Sequence, residues 1–419
     1  MKPVTIAPSP YSLDETLRLH EEMTLKNWWD GGEILRYVLL HMAAFFPHAY
    51  IHRDGPINWL PVDLRPDIAE MTVESREGPV TLDEYVQTHG HQLNGLIVLH
   101  DGKIVYEAYP RMRSYDKHSL MSITKAFVGL VIRQLCEEGR IDVDDPVEQY
   151  LPELQGSGWQ GVAVRDVLDM ASGIDCLEMS DGAITDPDNP YYHYEASAGW
   201  RQSTGDTPRS TYDYIPTLEQ RIEPGTQFEY SSVNSFVLSW LAEQITGLPL
   251  NELITERIWR HIGAEADALL AVSEAGAPSA DGGISATLRD LARFGLLFTA
   301  SWPVISDTQI VSTDYLHSIR EDGRPDVFQA GYGPWMSRMF SDEDQPAHNC
   351  WHWDHVWEDG AFHKGGYAGQ GLYVSPRADV VISFFGYLDS NNSLHETLRW
   401  VRQIERQCLA GAEARDGES

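Results

Sequence analysis

At 419 residues the chain is long for a single domain, and its 42% apolar and 22% charged residues are ordinary for a protein with a sizeable core. Its 63 acidic residues against 31 basic ones leave a formal charge of −32, which argues against nucleic acid or an anionic membrane face as partner, since both are bound through clustered Lys and Arg. Four scattered cysteines with no C-x-x-C pair do not make a disulfide scaffold and are expected to be reduced thiols.

The opening MKPVTIAPSPYSLDETLRLHEE has no basic segment leading into an apolar run, so it does not read as a secretory signal, and the expected setting is the cytoplasm. The run ILRYVLLHMAAFF at 34–46 is too short to span a bilayer and reads as a buried helix. Residues 1–80, rich in aromatic residues and proline, are expected to wrap a core as an extension. NGLIVLHDGKIVYEAY at 94–109 predicts a β-hairpin, because two β-branched runs flank Asp101-Gly102, a strong turn signal. A helix follows in ITKAFVGLVIRQLCEEG, with apolar residues at helical spacing and a stop at Gly139. Further helices are predicted in VAVRDVLDMASG, SSVNSFVLSWLAEQITG, NELITERIWRHIG and SATLRDLARFGLLF. Between the first two of these lies a long polar, aromatic loop at 177–215, of a length that usually carries function. GQGLYVSPRADVVISFFGY at 369–387 predicts a second hairpin; a helix at 391–409 and a solvated tail at 411–419 follow.

Strands near both ends with helices between them predict an α+β fold. One antiparallel sheet flanked by helices would be built from 81–150 and 290–410, with a mainly helical lobe, 151–289, inserted. A cleft between the two lobes is the expected place for a site.

The stretch RSYDKHSLMSITKAFVGL contains Ser-x-x-Lys twice. A lysine three residues after a serine can serve it as a base only where both share a helix face. Ser122 and Lys125 meet that condition, at the start of an apolar-periodic segment where free N–H groups can stabilise an oxyanion. Ser114 and Lys117 sit among polar residues after Pro110 and read as a solvated loop. The chain has only six lysines, and arginine could not replace Lys125 as a base, because it keeps its proton in proteins. Two further segments complete the constellation: Tyr230-Ser231-Ser232 at the entrance to an amphipathic helix, and Lys364-Gly365-Gly366 leading into the last hairpin.

These three motifs, in this order, resemble the serine β-lactamase and penicillin-binding-protein superfamily, in its class C-like esterase branch. NGLIVLHDGKIVYEAY, GRIDVDDPVEQYLPEL, VRDVLDMASGID and GGISATLRDLARFG extend the resemblance over most of 90–390. SLMSITKAFVG, SAGWRQSTGDTPRSTYDY and EYSSVNSFVLSWLAEQITG look most like the 6-aminohexanoate-dimer hydrolases and their carboxylesterase relatives. The resemblance implies a β-lactamase/transpeptidase-like fold and acyl transfer through an acyl-enzyme on a small ester or linear amide, with no cofactor and no metal. It implies Ser122 as nucleophile, Lys125 as base, Tyr230 as proton donor, and the N–H groups of Ser122 and Tyr367 as oxyanion hole. Ser232, Lys364, Gly365, Gly366, Cys176, Trp200 and Asp281 fall at substrate-binding positions. Cys176 stands where the family's nylon-dimer enzymes carry tyrosine, Asp281 where they carry asparagine, and Lys364 where their third motif lacks lysine. Lys364 could bind a substrate carboxylate or hold Tyr230 and Ser232 by hydrogen bonds. Gly365 and Ser232 both weaken a β-lactam reading. A D-amino-acid peptidase or class C-like β-lactamase, an acyltransferase and a non-catalytic binding protein on the same fold are the other readings of the same motifs. The oligomeric state is not legible.

One cluster, HNCWHWDH at 348–355, offers metal-ligand residue types. Its spacing fits no standard zinc pattern, and it is expected to be an aromatic loop rimming the cleft.

Overall fold

The computed structural model describes residues 11–89, 92–205 and 207–416. Residues 1–10 and 417–419, on which part of the N-terminal reading and the end of the expected tail fall, lie outside them. In chain order the strands are β1 (His48–Ile51), β2 (Thr72–Ser75), β3 (Gly78–Thr81), β4 (Leu93–His100), β5 (Lys103–Ala108), β6 (His118–Ser119), β7 (Ala268–Ala271) and β8 (Ile284–Ala286). They continue with β9 (His348–Cys350), β10 (Trp353–Val356), β11 (Phe362–Gly366), β12 (Gln370–Ser375) and β13 (Val380–Gly386). A seven-stranded sheet runs β5-β4-β13-β12-β11-β10-β9, every neighbour antiparallel, so both chain ends do build one sheet.

Both faces of that sheet are covered. β4 and β13 are buried at every position, which is why they read as continuous apolar runs rather than alternating ones. Alternate side chains go to opposite faces. Ile97, Leu99, Val381 and Phe385 join the main core with the helix Leu288–Leu296, whereas Leu96, Val98, Val380, Ile382 and Phe384 pack under the last helix through Trp400, Val401, Ile404 and Cys408.

The central helix, Thr124–Glu137, is buried on nearly every side and stops at Glu138, with Gly139 left-handed at φ 70° as expected. It lies against the tight turn between β9 and β10. A Cβ on Gly129 would stand 2.7 Å from the carbonyl oxygen of Trp351. This glycine therefore allows backbone to approach helix where any larger residue would push the hairpin away.

Several elements differ from the sequence reading. A second sheet, β1-β7-β8-β6, draws strands from the N-terminal extension, from 81–150 and from the nominally helical 151–289. The segment 177–215 is not one loop, since it folds the helices Pro190–Ser197 and Thr211–Tyr214, capped by Asn189 and Ser210. HNCWHWDH is not a loop either: it is β9, a turn with Trp351 and His352 at positive φ, and β10. The last helix runs to Asp416, so most of the expected tail is helical.

Gly129→Ala should lower thermal stability. Alanine improves helix propensity by about 1 kcal/mol, but overpacking against fixed backbone costs about 1–3 kcal/mol. A fall in the unfolding midpoint by calorimetry checks this; a rise would mean that the hairpin yields freely.

Candidate active site

The turn before the central helix carries Ser122, the expected nucleophile. Leu120 N–H donates to the Ile284 carbonyl at 2.8 Å, tying this turn to β8. Met121 is left-handed, φ 48°, a conformation that costs a residue with a side chain about 1–2 kcal/mol. It is held there by burial and by the Ser119 hydroxyl, which accepts from its amide at 3.3 Å. Met121–Ile123 form one 3₁₀ turn, and the α-helix starts at Thr124. Ser122 thus stands half-buried at a kink, and its hydroxyl caps neither helix.

Lys125 has no exposed side-chain surface. Its Nζ donates to Ser122 Oγ at 2.9 Å, to Ser232 Oγ at 3.0 Å and to the Asp281 carbonyl at 2.8 Å. The Ser232 hydroxyl in turn donates to the Glu178 carboxylate. Glu178 is 17% exposed; burial raises its pKa, while Lys125 and the Ser232 hydrogen bond oppose that rise.

Lys364, also without exposed surface, lies on β11. It donates to the Tyr230 hydroxyl at 2.8 Å and to the Asp354 carboxylate, whose second oxygen accepts from the Gly365 N–H at 2.9 Å. Burial pushes the Tyr230 phenol well above its ordinary range, and the Asp354 charge adds to this. The Ser122 hydroxyl acts on Tyr230 in the opposite sense to burial, lowering its pKa. Burial lowers Lys364 to about 8, with Asp354 opposing. The outcome is one row of polar groups, hydrogen-bonded from Glu178 through Ser232 and Lys125 to Ser122, and from Tyr230 through Lys364 to Asp354.

Two cavities meet at Ser122. The first, of about 250 Å³, is walled by Trp29, Met121, Tyr191, Trp200, Glu195 and Asp281. Burial, and next the charge of Asp281, push Glu195 up to about 8. The second, of about 810 Å³, is bordered by Tyr230, Gly365 and Gly366. Ser122, Glu178 and Tyr367 touch both. A Cβ on Gly366 would stand 2.6 Å from the Leu120 carbonyl, so glycine here lets β11 lie against the turn that bears Ser122.

The structure therefore brings together Ser122, Lys125, Tyr230, Ser232 and Lys364, with Gly365, Gly366, Tyr367, Trp200 and Asp281 on the cavity walls. Of the two options for Lys364, hydrogen bonding to Tyr230 is the one seen; Ser232 is held by Lys125 instead. Cys176 is a correction: its side chain is fully buried in the main core and lines neither cavity, because the chain turns its carbonyl, not its thiol, toward Ser231 Oγ (2.5 Å). Ser114 and Lys117 lie in the turn region before β6 and join no cavity named here.

Glu178, Glu195 and Asp354 were not singled out from sequence. Glu178 is two residues past Cys176, in a segment without periodicity. Asp354 sat inside HNCWHWDH, where the metal-type neighbours are used structurally: His352 bonds Ser235 Oγ (3.1 Å) and the Leu168 carbonyl (3.0 Å), and His348 bonds the Arg320 carbonyl (3.0 Å). Among the described residues, no three His, Cys, Asp or Glu side chains are grouped to hold a metal ion.

A family model described as Beta-lactamase matches residues 81–404. The chain belongs to the beta-lactamase family. Over 364 residues it is 34% identical to the 6-aminohexanoate-dimer hydrolase of Paenarthrobacter ureafaciens, covering 86% of this chain and 87% of that one. It superposes with a TM-score of 0.76 on the solved structure described as "Putative 6-aminohexanoate-dimer hydrolase from Bacillus anthracis", at 25% identity, covering 95% of this chain and 98% of that one. The fold is shared with "EstCE1, a hydrolase with promiscuous acyltransferase activity" at a TM-score of 0.56 and 15% identity, covering 78% of this chain and 97% of that one. The resemblance read from the motifs and the β-lactamase/transpeptidase-like fold are both borne out, and this beta-lactamase-family chain is a serine hydrolase. Among the described residues no helix is long and apolar enough to cross a membrane.

Breaking the buried Lys364–Asp354 pair one partner at a time should cost about 3–5 kcal/mol, because a charge is left unpaired. The double variant Lys364→Met, Asp354→Leu is expected to lose less than either single variant. Chemical denaturation of the three proteins checks this; additive losses would show that the two groups do not depend on each other.

Proposed function

We propose that the protein hydrolyses a small carboxylic ester or linear amide through an acyl-enzyme on Ser122. The observation that carries this reading is the fully buried Lys125 Nζ, 2.9 Å from the half-buried Ser122 hydroxyl at the junction of two cavities. Ser122 Oγ attacks the substrate carbonyl carbon, and its proton passes to Lys125 in the amine form. The N–H groups of Ser122 and Tyr367 are assigned to the developing oxyanion; one such donor is typically worth about 10²–10³ in rate. Tyr230 protonates the leaving nitrogen or oxygen, the acyl bond breaks, and the acyl group remains as an ester of Ser122. Water then attacks that ester and gives a proton to the Tyr230 oxygen; as the acyl–Oγ bond breaks, Lys125 returns its proton to Ser122 Oγ, and the carboxylic product leaves with all three groups restored.

Tyr230 borders the second cavity and not the first. The leaving group is therefore assigned to the second cavity and the acyl group to the first. Glu178, Glu195 and Asp281 around the first cavity suit an acyl portion that carries an amino group. The 6-aminohexanoate dimer in the relative's name has such a group, which supports the amide form of the proposal. All four cysteines are free, which supports placing the activity in a reducing compartment such as the cytoplasm.

Intact-protein mass spectrometry after incubation with short acyl esters, linear amides and penicillins should show which acyl group loads. The mass shift, and labelling by a serine-directed phosphonate, should vanish in Ser122→Ala; labelling that persists there would sink the assignment. Tyr230→Phe is expected to lower kcat about 10²–10⁴-fold, the usual span for a lost general acid.

Lys364 carries its charge below about pH 8 and loses it above. With a charged Lys364 required beside Tyr230, kcat/KM should fall as pH rises through about 8. Asp354→Asn removes the charge that raises the Lys364 pKa, so that limb should move to lower pH. A limb that stays in place in Asp354→Asn would detach Lys364 from the reaction.

A further inference from the structure

Lys125 makes three hydrogen bonds through its Nζ, to Ser122 Oγ, Ser232 Oγ and the Asp281 carbonyl oxygen. Three donated bonds use all three protons of an ammonium group and leave no lone pair free. A base needs that lone pair, so one proton has to leave before Ser122 can be deprotonated. The side chain has no exposed surface through which to give it to solvent. Of the three acceptors, a carbonyl oxygen passes no proton on, and Ser122 is the group to be deprotonated. The Ser232 hydroxyl is left, and it donates in turn to Glu178. The Glu178 carboxylate lies 4.0 Å from Lys125 Nζ, is 17% exposed and borders both cavities. Lys125 is its one ion-pair partner among the described residues.

We propose that Glu178 holds the proton that Lys125 must shed, and that the Ser232 hydroxyl is the bridge through which it passes. This rests on the acyl-enzyme reading above and names the step that readies its base. The Lys125 proton facing Ser232 moves to Ser232 Oγ while the Ser232 hydroxyl proton moves to Glu178. The products are a neutral amine, an intact hydroxyl and a carboxylic acid, so protons and charge balance. Rotation about the Cε–Nζ bond then turns the lone pair toward Ser122 Oγ, 2.9 Å away. Glu178 acts through Ser232 and is a positioning residue for this proton. It keeps the proton while Lys125 takes one from Ser122 and later returns it, so none is consumed in a turnover. Burial raises the Glu178 pKa and favours the acid form, while Lys125 and the Ser232 hydrogen bond oppose it; Asp281 raises it and Lys364 lowers it. Cys176, Tyr191, Glu195 and Tyr230 are the other titratable groups within its field.

The test is the pH dependence of kcat/KM for p-nitrophenyl acetate, an uncharged ester whose leaving group needs no proton, read on the full chain and on Glu178→Gln and Ser232→Ala. In the parent the acid limb belongs to Glu178. As pH falls through its titration the carboxyl is already protonated, Lys125 keeps its third proton, and the rate falls. Glutamine offers the Ser232 hydroxyl an oxygen but takes no proton. The limb therefore passes from a carboxyl group to an ammonium group and moves to higher pH. Each pH unit below the new limb should cost about tenfold in rate. Ser232→Ala should move the limb in the same direction with the carboxylate still in place, and the double variant should move it no further. A carboxylate with only a structural role predicts an equal loss at every pH and an unmoved limb. That result, with acetyl-Ser122 still found by mass spectrometry, would overturn the relay and leave the acyl-enzyme reading standing. Absence of acetyl-Ser122 from the parent would overturn both. Circular dichroism establishes that each variant is folded, and Ser232→Ala alone decides the matter where Glu178→Gln does not fold.

Discussion

Two lysine side chains with no exposed surface stand in one row of polar groups, and the fold is organised by the need to satisfy them. Burying a lysine nitrogen without hydrogen-bond partners costs several kcal/mol. That cost is tolerable only where partners are already in place, and here the partners come from far along the chain. Lys125 draws on Ser232 and Asp281, 107 and 156 residues away; Lys364 draws on Tyr230, 134 residues away. The row fixes how the turn bearing Ser122, the helix after Tyr230, the segment at 281 and strand β11 of the main sheet meet. It also explains two glycines. Gly366 lets β11 lie against the turn that holds Ser122, and Gly129 lets the hairpin bearing Asp354 reach the helix bearing Lys125.

The walls of the first cavity depend on a different kind of packing. Trp28 donates its indole N–H to the Trp200 carbonyl at 3.0 Å, and Tyr367 donates its hydroxyl to the Trp29 carbonyl at 2.7 Å. Trp29 packs edge-on against Tyr367, with centroids 4.4 Å apart, and Arg201 lies over the Trp29 ring at 5.1 Å. Residues 28 and 29 precede the region that the family model matches. The side of the site assigned to the acyl group is thus partly built by a segment outside the shared core, while the row around Ser122 lies inside it. On the proposed reading, chemistry and selectivity are carried by different stretches of chain, as is usual when one fold serves many substrates.

The sequence made the reactive row half legible. Ser122 and Lys125 could be chosen over Ser114 and Lys117 because helix periodicity is a local property, and Tyr230 and Lys364 followed from motif order. Glu178 and Asp354 were hidden because nothing local distinguishes a carboxylate that meets a distant lysine from one that faces water. Asp354 was further masked by His and Cys neighbours whose types suggested a metal. The hairpins β4–β5 and β12–β13 were legible because long apolar runs flank turn signals. The second sheet was not, since β6 has two residues and β8 three, too few for a period to show. Cys176 misled for a related reason: a position in a loop motif fixes the path of the backbone, and here the thiol side faces the core.

The two cavities also bear on why this site would release its acyl group. On the proposed reading, departure of the leaving group empties the larger cavity, the one that Tyr230 borders. Water that refills it arrives beside the group that has just given up a proton, so the same phenol can now take one, as microscopic reversibility requires. The acyl portion meanwhile stays in the smaller, carboxyl-lined cavity and need not move. Hydrolysis and acyl transfer then differ only in what occupies the larger cavity when the Ser122 ester is exposed. On that reading, a second leaving-group molecule returning to the larger cavity competes with water for the ester, and its occupancy there sets how much of the acyl group passes back to an amine or alcohol rather than to water.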